Sequence, residues 1–192
     1  NIGAYGVEIQ QVFHSLLAVE RPSGQLRTFM KEECHFGYRE SIFKTSLKDQ
    51  YIIASVTFKL PKNHIVSVEY GDIKQILSDM GIDTPTMKDV REAVIKIRTS
   101  KLPNPAILGN AGSFFKNPIV PTSLYYELKQ KYPTLPGYVT NDPASTKVAA
   151  GWLIEQAGWK GYREGNVGVH ERQALVLVHF GNGKGQEVLS LC

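Results

Sequence analysis

The chain has 192 residues, 42% of them apolar and 21% charged, which is enough to bury a hydrophobic core and excludes a disordered, collagen-like or disulfide-scaffolded protein. Its net charge of +4 is spread along the chain and favours an anionic partner, without separating a phosphorylated small molecule from nucleic acid. No apolar run is long enough for a membrane span. Cys34 and Cys192 lie almost a chain length apart, which predicts free thiols in a reducing cytoplasm.

Both ends of the sequence predict a fragment. Residues 1–6 start abruptly in loop-like sequence. Residues 185–192 open like a helix but contain no capping glycine or other stop signal at the end. We therefore expect a longer parent protein.

The first half begins with strands. Residues 11–19 and 25–29 flank a Pro-Ser-Gly turn and predict a β-hairpin. Residues 51–60 are rich in β-branched and aromatic side chains and predict a further strand. Residues 31–44 between them are polar and aromatic without a clean period, which predicts a structured loop where function can concentrate.

A helix and a chain break follow. Residues 84–98 predict a helix with Thr84 as N-cap and Pro85 at its first position. Its apolar face consists of Val90, Ala93, Val94 and Ile97. A Leu-Pro-Asn-Pro run then breaks the chain and predicts a boundary between residues 1–101 and residues 102–192.

The second half mixes strands and helices. Residues 113–120 predict a strand and residues 121–132 a helix. Residues 146–157 predict a second helix capped by Ser145, and residues 172–180 a buried strand. Because these elements alternate without a regular βαβ rhythm, the sequence predicts an α+β fold.

Two familiar kinds of site are not indicated. The Gly-Asn-Gly-Lys-Gly run at residues 181–185 matches neither phosphate-loop nor dinucleotide spacing, and a flexible turn explains it. The five histidines, His64 among them, show no paired ligand spacing, so no metal site is predicted.

Two other groups of residues could form a catalytic or binding site, but each also has an ordinary structural explanation. Ser113 follows a glycine and precedes two aromatic residues, although a local cap at a bulged strand explains it better from composition alone. Tyr38, Arg39, Tyr70 and Lys101 supply donors for a carboxylate or phosphate, although solvated ion pairs are commoner.

Six collinear segments closely resemble the MurB family of UDP-N-acetylenolpyruvoylglucosamine reductases: residues 1–8, 36–44, 98–103, 109–118, 149–154 and 170–177. The likeness covers essentially the whole chain. It implies a cytoplasmic bacterial flavoprotein oxidoreductase of peptidoglycan synthesis, and hence of cell wall biogenesis, cell shape and cell division. It also implies that residues 1–101 are the C-terminal half of an FAD-binding domain and that residues 102–192 are a substrate-binding domain truncated at its C-terminal end.

The reaction implied by the resemblance is the FAD-dependent, NADPH-consuming reduction of UDP-N-acetylglucosamine enolpyruvate to UDP-N-acetylmuramate. In this family the chain continues at both ends, with a pyrophosphate-binding loop before and a catalytic Glu after the matching part. We therefore do not expect the fragment to turn over. The alternatives are a non-catalytic sugar-nucleotide-binding module and, far behind it, a nucleic-acid-binding domain.

The resemblance also implies roles for individual residues. Arg39 would hold and polarise the substrate carboxylate, and Ser113 would supply a proton. Substrate contacts would come from Tyr5, Tyr38, Tyr70, Lys101, Asn117, Tyr138, Lys160 and Gln173. Flavin contacts would come from Ile2, Gly3, Ala4 and Arg98. No metal, nucleic acid or membrane is expected, and the oligomeric state is left open.

Overall fold

The computed structural model describes residues 1–63 and 66–192, so His64 lies outside the described residues. The chain divides into two compact units, Asn1–Ile97 and Arg98–Cys192. This division is one of packing, and the functional assignment of residues 1–101 and 102–192 stays a prediction.

The first unit opens with two antiparallel sheets. Its strands are β1 (Gly3–Ala4), β2 (Val7–Glu8), β3 (Phe13–Glu20), β4 (Leu26–Met30) and β5 (Tyr51–Phe58). The first two pair with each other, and β3 lies between β4 and β5 in a three-stranded sheet. The predicted hairpin and the predicted strand after it are therefore confirmed.

The segment between β4 and β5 is irregular, as predicted, and is held to the sheet by aromatic packing. It contains two short 3-10 turns, Glu32–Cys34 and Ile42–Lys44. The fully buried ring of Phe29 on β4 meets the rings of Phe43 and Tyr51 edge to face, each with centroids 5.1 Å apart. The contact between Phe29 and Phe43 fixes the irregular segment to the sheet, and the contact with Tyr51 joins β4 to β5.

Two helices, α1 (Ile73–Asp79) and α2 (Met87–Lys101), complete this part of the chain. The sequence did not predict α1. The predicted start of α2 is wrong, because Thr86 and Asp89 cap the helix: the Asp89 carboxylate accepts from the Thr86 backbone N–H at 2.8 Å, and Asp89 N–H donates to the Thr86 hydroxyl at 3.3 Å. The predicted apolar face is confirmed by the buried Ala93.

The second unit adds seven strands and three helices: β6 (Gly109–Ser113), β7 (Ile119–Pro121), α3 (Thr122–Lys131), β8 (Gly137–Val139), β9 (Ser145–Val148), α4 (Ala150–Gln156), β10 (Arg163–Glu164), β11 (Val167–Val169), β12 (Val176–His179) and α5 (Gly185–Leu191). One antiparallel sheet has the order β10–β11–β12–β6, and the other has the order β7–β9–β8. Helices α3 and α5 confirm the helices predicted at residues 121–132 and 185–192.

Three other predictions are corrected by strand pairing. The strand predicted at residues 113–120 is two strands in different sheets, because Ser113 pairs with Val176 whereas Ile119 pairs with Lys147. The first turn of the helix predicted at residues 146–157 is instead β9, which is central in its sheet and bonded on both sides. The strand predicted at residues 172–180 is confirmed only as β12, since the residues before it form a turn closed by a hydrogen bond.

The core of the second unit lies between the larger sheet and its helices. Val169, Ala174 and Leu177 are buried, and Phe115 and Ile154 pack against them. Among the described residues, no helix is both long enough and apolar enough to cross a membrane.

The packing of β4 predicts a large difference between two neighbouring apolar residues. Replacing the fully buried Phe29 by Ala lowers the free energy of unfolding by about 3–5 kcal/mol, because the substitution removes a ring and leaves a cavity. Leu26→Ala on the same strand is the matched control, since Leu26 is 65% exposed; its cost is about 0.5 kcal/mol or less. Urea denaturation of both variants measures the difference, and equal losses would contradict this account of the core.

Candidate functional site

Arg39 is held at the tip of a two-residue turn in the first unit. Gly37 and Glu40 form an isolated antiparallel bridge and exchange backbone hydrogen bonds of 3.1 and 3.2 Å. Arg39 itself has a φ of 54°, in the left-handed region that residues with side chains rarely adopt. Its guanidinium donates to the Gly3 carbonyl at 2.5 Å and lies 3.8 Å from a carboxylate oxygen of Glu8. The turn and these contacts together fix the direction of the side chain.

Glu8 is in turn held by neighbouring amides. Its second carboxylate oxygen accepts from the side chains of Asn1 at 2.9 Å and Gln10 at 2.7 Å. Gly3 is required beside it, because a Cβ there would lie 2.8 Å from Glu8 and 3.0 Å from the Arg39 guanidinium. The Arg39 side chain remains 34% exposed, so a fixed cation retains donors for a carboxylate ligand.

Aromatic side chains lie on and beside the β1–β2 hairpin. Tyr5 and Gly6 have φ values of 53° and 79°, as a two-residue type I′ turn between β1 and β2 requires. The turn places the Tyr5 ring edge to face with the ring of Tyr70, with centroids 6.1 Å apart. The guanidinium carbon of Arg39 lies 5.3 Å from the centroid of the Tyr38 ring. The first unit therefore groups its predicted substrate residues around the β1–β2 hairpin.

Ser113 is the exposed last residue of β6 in the second unit. Gly112 before it has a φ of 67°, and no atom lies within 4 Å of where its Cβ would be. The glycine is therefore required for its backbone conformation and not for space. Phe114 N–H donates to the Leu175 carbonyl at 2.9 Å, which anchors the backbone directly after Ser113 to the turn before β12.

Asn117 has a structural partner that the sequence did not reveal. Its side-chain oxygen accepts from the backbone N–H of Ala150 at 2.9 Å, at the start of α4. The first N–H groups of a helix lack partners within the helix, so this bond caps α4 from a distant part of the chain. The amide nitrogen of the same side chain is not used in this bond and can donate to a ligand.

Tyr138 lies on an exposed sheet face opposite a lysine that sequence reasoning missed. Tyr138 on β8 and Lys147 on β9 are direct cross-strand partners. The Lys147 ammonium lies 5.9 Å from the centroid of the Tyr138 ring. A phenol hydroxyl and an ammonium on one sheet face can both donate to a phosphate group. Only the register of the two strands brings them together, so spacing in the sequence could not have identified the pair.

The other predicted residues of the second unit lie at element ends. Arg98 and Lys101 are exposed on the last turn of α2. Gln173 is half-buried in the turn before β12. Lys160 follows α4 and forms a 2.8 Å ion pair with Glu155.

A cavity of about 610 Å³ lies between the last turn of α2, the segment after it and the turn after β11, and its lining includes Arg98, His170 and Arg172. His170 is only 5% exposed. Its Nδ1 accepts from the Arg172 backbone N–H at 3.3 Å, which places the proton of the neutral ring on Nε2. Burial, and next the positive charge of Arg172, lower the pKa of His170 below its ordinary value.

Other titratable groups do not form a metal centre. Among residues 1–63 and 66–192, no group of three His, Cys, Asp or Glu side chains is placed to hold a metal ion. Both cysteines are free thiols. Burial, together with the acidic residues just before it, raises the pKa of Cys34. This makes Cys34 a poor nucleophile.

The comparisons with known proteins agree with the resemblance found in the sequence. Residues 104–192 match the family model described as UDP-N-acetylenolpyruvoylglucosamine reductase, C-terminal domain. A protein named UDP-N-acetylenolpyruvoylglucosamine reductase from Pseudomonas savastanoi pv. phaseolicola is 54% identical over 191 residues, covering 100% of this chain and 56% of that protein. One of the same name from Flavobacterium johnsoniae is 53% identical over 192 residues, covering 57% of its length.

A solved structure supports the fold. The crystal structure of the MurB reductase from Thermus caldophilus matches with a TM-score of 0.59 at 20% identity, covering 100% of this chain and 51% of that one. The predicted resemblance and the α+β fold with a C-terminal domain of this kind are thus confirmed. The chain spans a little over half the length of the curated relatives it matches.

The hydrogen bond from Ala150 to Asn117 predicts that two substitutions of Asn117 affect stability differently. Asn117→Ala lowers the free energy of unfolding by about 1 kcal/mol, because the first N–H of α4 loses its acceptor. Asn117→Asp keeps an acceptor oxygen and stays close to the wild-type stability. Chemical denaturation of the two variants measures this difference, and an equal loss in both would show that the cap is not the cause.

The lowered pKa of His170 predicts a pH dependence of stability. Below its ordinary pKa of about 6.5 the unfolded chain binds a proton that the folded chain resists, so the free energy of unfolding falls as the pH drops from 7 through that value towards the lower folded pKa. His170→Gln removes this part of the dependence. His14→Gln, at an exposed position, is the matched control for the loss of an imidazole. Thermal unfolding from pH 5 to 8 checks the result, and identical slopes in wild type and His170→Gln would contradict it.

Proposed function

Because this chain closely resembles the UDP-N-acetylenolpyruvoylglucosamine reductase (MurB) family, we propose that it serves the FAD-dependent, NADPH-consuming reduction of UDP-N-acetylglucosamine enolpyruvate to UDP-N-acetylmuramate. This would make it part of a cytoplasmic oxidoreductase of peptidoglycan synthesis, and hence of cell wall biogenesis, cell shape and cell division. The observation that carries the proposal is the Arg39 guanidinium, which is fixed by Gly3 and Glu8 and still one-third exposed.

Arg39 suits the charge that this reduction creates. When a hydride adds to the terminal methylene carbon of the enol ether, negative charge develops on the carbon next to the carboxylate and spreads onto the carboxylate oxygens. A guanidinium already oriented by its own contacts stabilises that charge without rearranging. In the proposed site Arg39 therefore binds the carboxylate and polarises it.

Ser113 would complete the reduction by donating its hydroxyl proton to the carbon beside the carboxylate. A serine hydroxyl is a very weak acid, so it transfers a proton only to a strongly basic centre such as this carbanion. Its exposed position at the end of β6, on backbone anchored by Phe114, supports this role. The bond changes balance, since the double bond gains one hydride and one proton.

The sugar nucleotide would be bound through its diphosphate and uridine. Tyr138 and Lys147 provide a hydroxyl and an ammonium from neighbouring strands on one sheet face. Further donors of the proposed substrate site are Tyr5, Tyr38, Tyr70, Lys101, Asn117, Lys160 and Gln173. The net charge of +4 assists the approach of an anionic substrate.

The residues around β1 fit a flavin. Ile2 and Ala4 are exposed on either side of Gly3, whose carbonyl is already bonded to Arg39, so an apolar strip borders the cation. We propose that Ile2, Gly3 and Ala4 lie against the flavin ring and that Arg98 also contacts FAD. When bound, FAD supplies the hydride.

A sugar-nucleotide-binding module without turnover is the second candidate. It would need only the proposed substrate contacts, of which Asn117, Tyr138, Lys160 and Gln173 lie in the second unit. The two candidates share a binding prediction and differ in chemistry. The experiment below separates them.

The experiment uses the complete gene product that contains this chain. Ser113→Ala lowers formation of UDP-N-acetylmuramate by about 10²–10⁴-fold, because the proton donor is lost. The rate at which NADPH bleaches the flavin absorbance stays unchanged, since Ser113 has no part in that half-reaction. Stopped-flow absorbance measures the two half-reactions separately.

The exposed strand residue Ser55→Ala is the control, and both half-reactions stay normal in it. Normal product formation by Ser113→Ala would remove Ser113 from the mechanism. Saturable substrate binding by the wild type without any flavin reduction would favour the binding module.

A further inference from the structure

We propose that Arg172 is a positioning residue of the substrate site, because its guanidinium ties the turn that carries Gln173 to the last turn of α2, which carries Arg98 and Lys101. This inference rests on the proposed function. The main evidence is a hydrogen bond of 2.9 Å from Arg172 Nη1 to the Ser100 carbonyl. The two residues are 72 positions apart in the chain.

The end of α2 needs such a partner. The last carbonyl groups of a helix have no N–H from a following turn to accept from. Leu102 N–H still bonds to the Arg98 carbonyl at 2.8 Å, but the next residue, Pro103, has no N–H and ends the series. A guanidinium is well suited to the Ser100 carbonyl, because it donates a hydrogen bond and its positive charge meets the negative end of the helix dipole.

The turn that holds Arg172 is itself constrained. His170 N–H donates to the Val176 carbonyl at 2.9 Å, and Val176 N–H donates to the Gln173 carbonyl at 2.9 Å. The Arg172 N–H is bound by the buried imidazole of His170 at 3.3 Å. Three hydrogen bonds within the turn hold its backbone in place. The side chains attached to that backbone therefore start from fixed positions.

The residues joined in this way are those proposed to touch ligands. Ser100 lies directly before Lys101 and two residues after Arg98. Arg172 lies directly before Gln173. Arg98 and Arg172 also line the same cavity. The bond therefore sets the spacing between binding groups that are far apart in sequence, and it makes no contact with the reacting atoms of the substrate.

The expected consequence is weaker binding without a chemical defect. Freeing the turn from α2 reduces ground-state and transition-state binding equally, so KM rises and kcat stays the same. Arg172→Ala should raise the dissociation constant for UDP-N-acetylglucosamine enolpyruvate about tenfold, as expected from the loss of one charged hydrogen bond. Arg172→Lys retains a cationic donor and should recover part of this affinity.

The matched control is Arg91→Ala on the same helix, since Arg91 is exposed and pairs only with its neighbour Glu92 in the contacts resolved for it. Calorimetric titration and steady-state kinetics are made on the complete gene product that contains this chain. Expected are a raised KM in Arg172→Ala, partial rescue in Arg172→Lys and no change in Arg91→Ala, with kcat within about twofold of wild type throughout.

Two results would overturn the inference. Wild-type affinity in Arg172→Ala would show that the bond does not position the site. A fall in kcat that follows a fall in the unfolding midpoint, with KM unchanged, would show a merely structural role. Failure of the proposed function is a different outcome, because the wild type itself would then neither bind nor reduce the sugar nucleotide.

Discussion

The contact between Arg39 and the β1–β2 hairpin is the constraint on which the candidate site of the first unit depends. An arginine at a positive φ is strained and needs surrounding structure to hold it. Here the Gly37–Glu40 bridge holds the backbone, and the Gly3 carbonyl and Glu8 carboxylate hold the side chain. A cation constrained at both ends can meet a developing charge without moving, and this is the electrostatic requirement of the proposed reduction.

The same contact explains why apparently unrelated features occur together. Gly3 has no side chain because the guanidinium and Glu8 occupy its space. The irregular segment that carries Arg39 is held to the sheet by the contact between Phe43 and Phe29. Core packing in the first unit thus supports the geometry of a surface cation.

In the second unit, side chains from loops provide hydrogen-bond partners for the backbone groups at helix ends. Asn117 caps the start of α4, and Arg172 satisfies a carbonyl at the end of α2. Both partners come from loops that lie far away in the sequence. Each cap therefore fixes a loop at the same time as it completes a helix, and Asn117, Gln173, Arg98 and Lys101 lie on those loops or beside the end of α2.

The sequence by itself determined the hairpin, the strand after it, the apolar face of α2 and the resemblance to the reductase family, because these depend on local periodicity or on residue identities in order. It did not determine that residues 113–120 form two strands in different sheets. Nor did it determine that β9 is a strand, since cross-strand pairing of β9 with both neighbours overrides its local helix preference. Nor could it reveal the pairing of Tyr138 with Lys147 or the bond from Arg172 to Ser100. Those contacts exist only after strand register and chain packing bring distant residues within a few ångströms, and only the tertiary structure decides that.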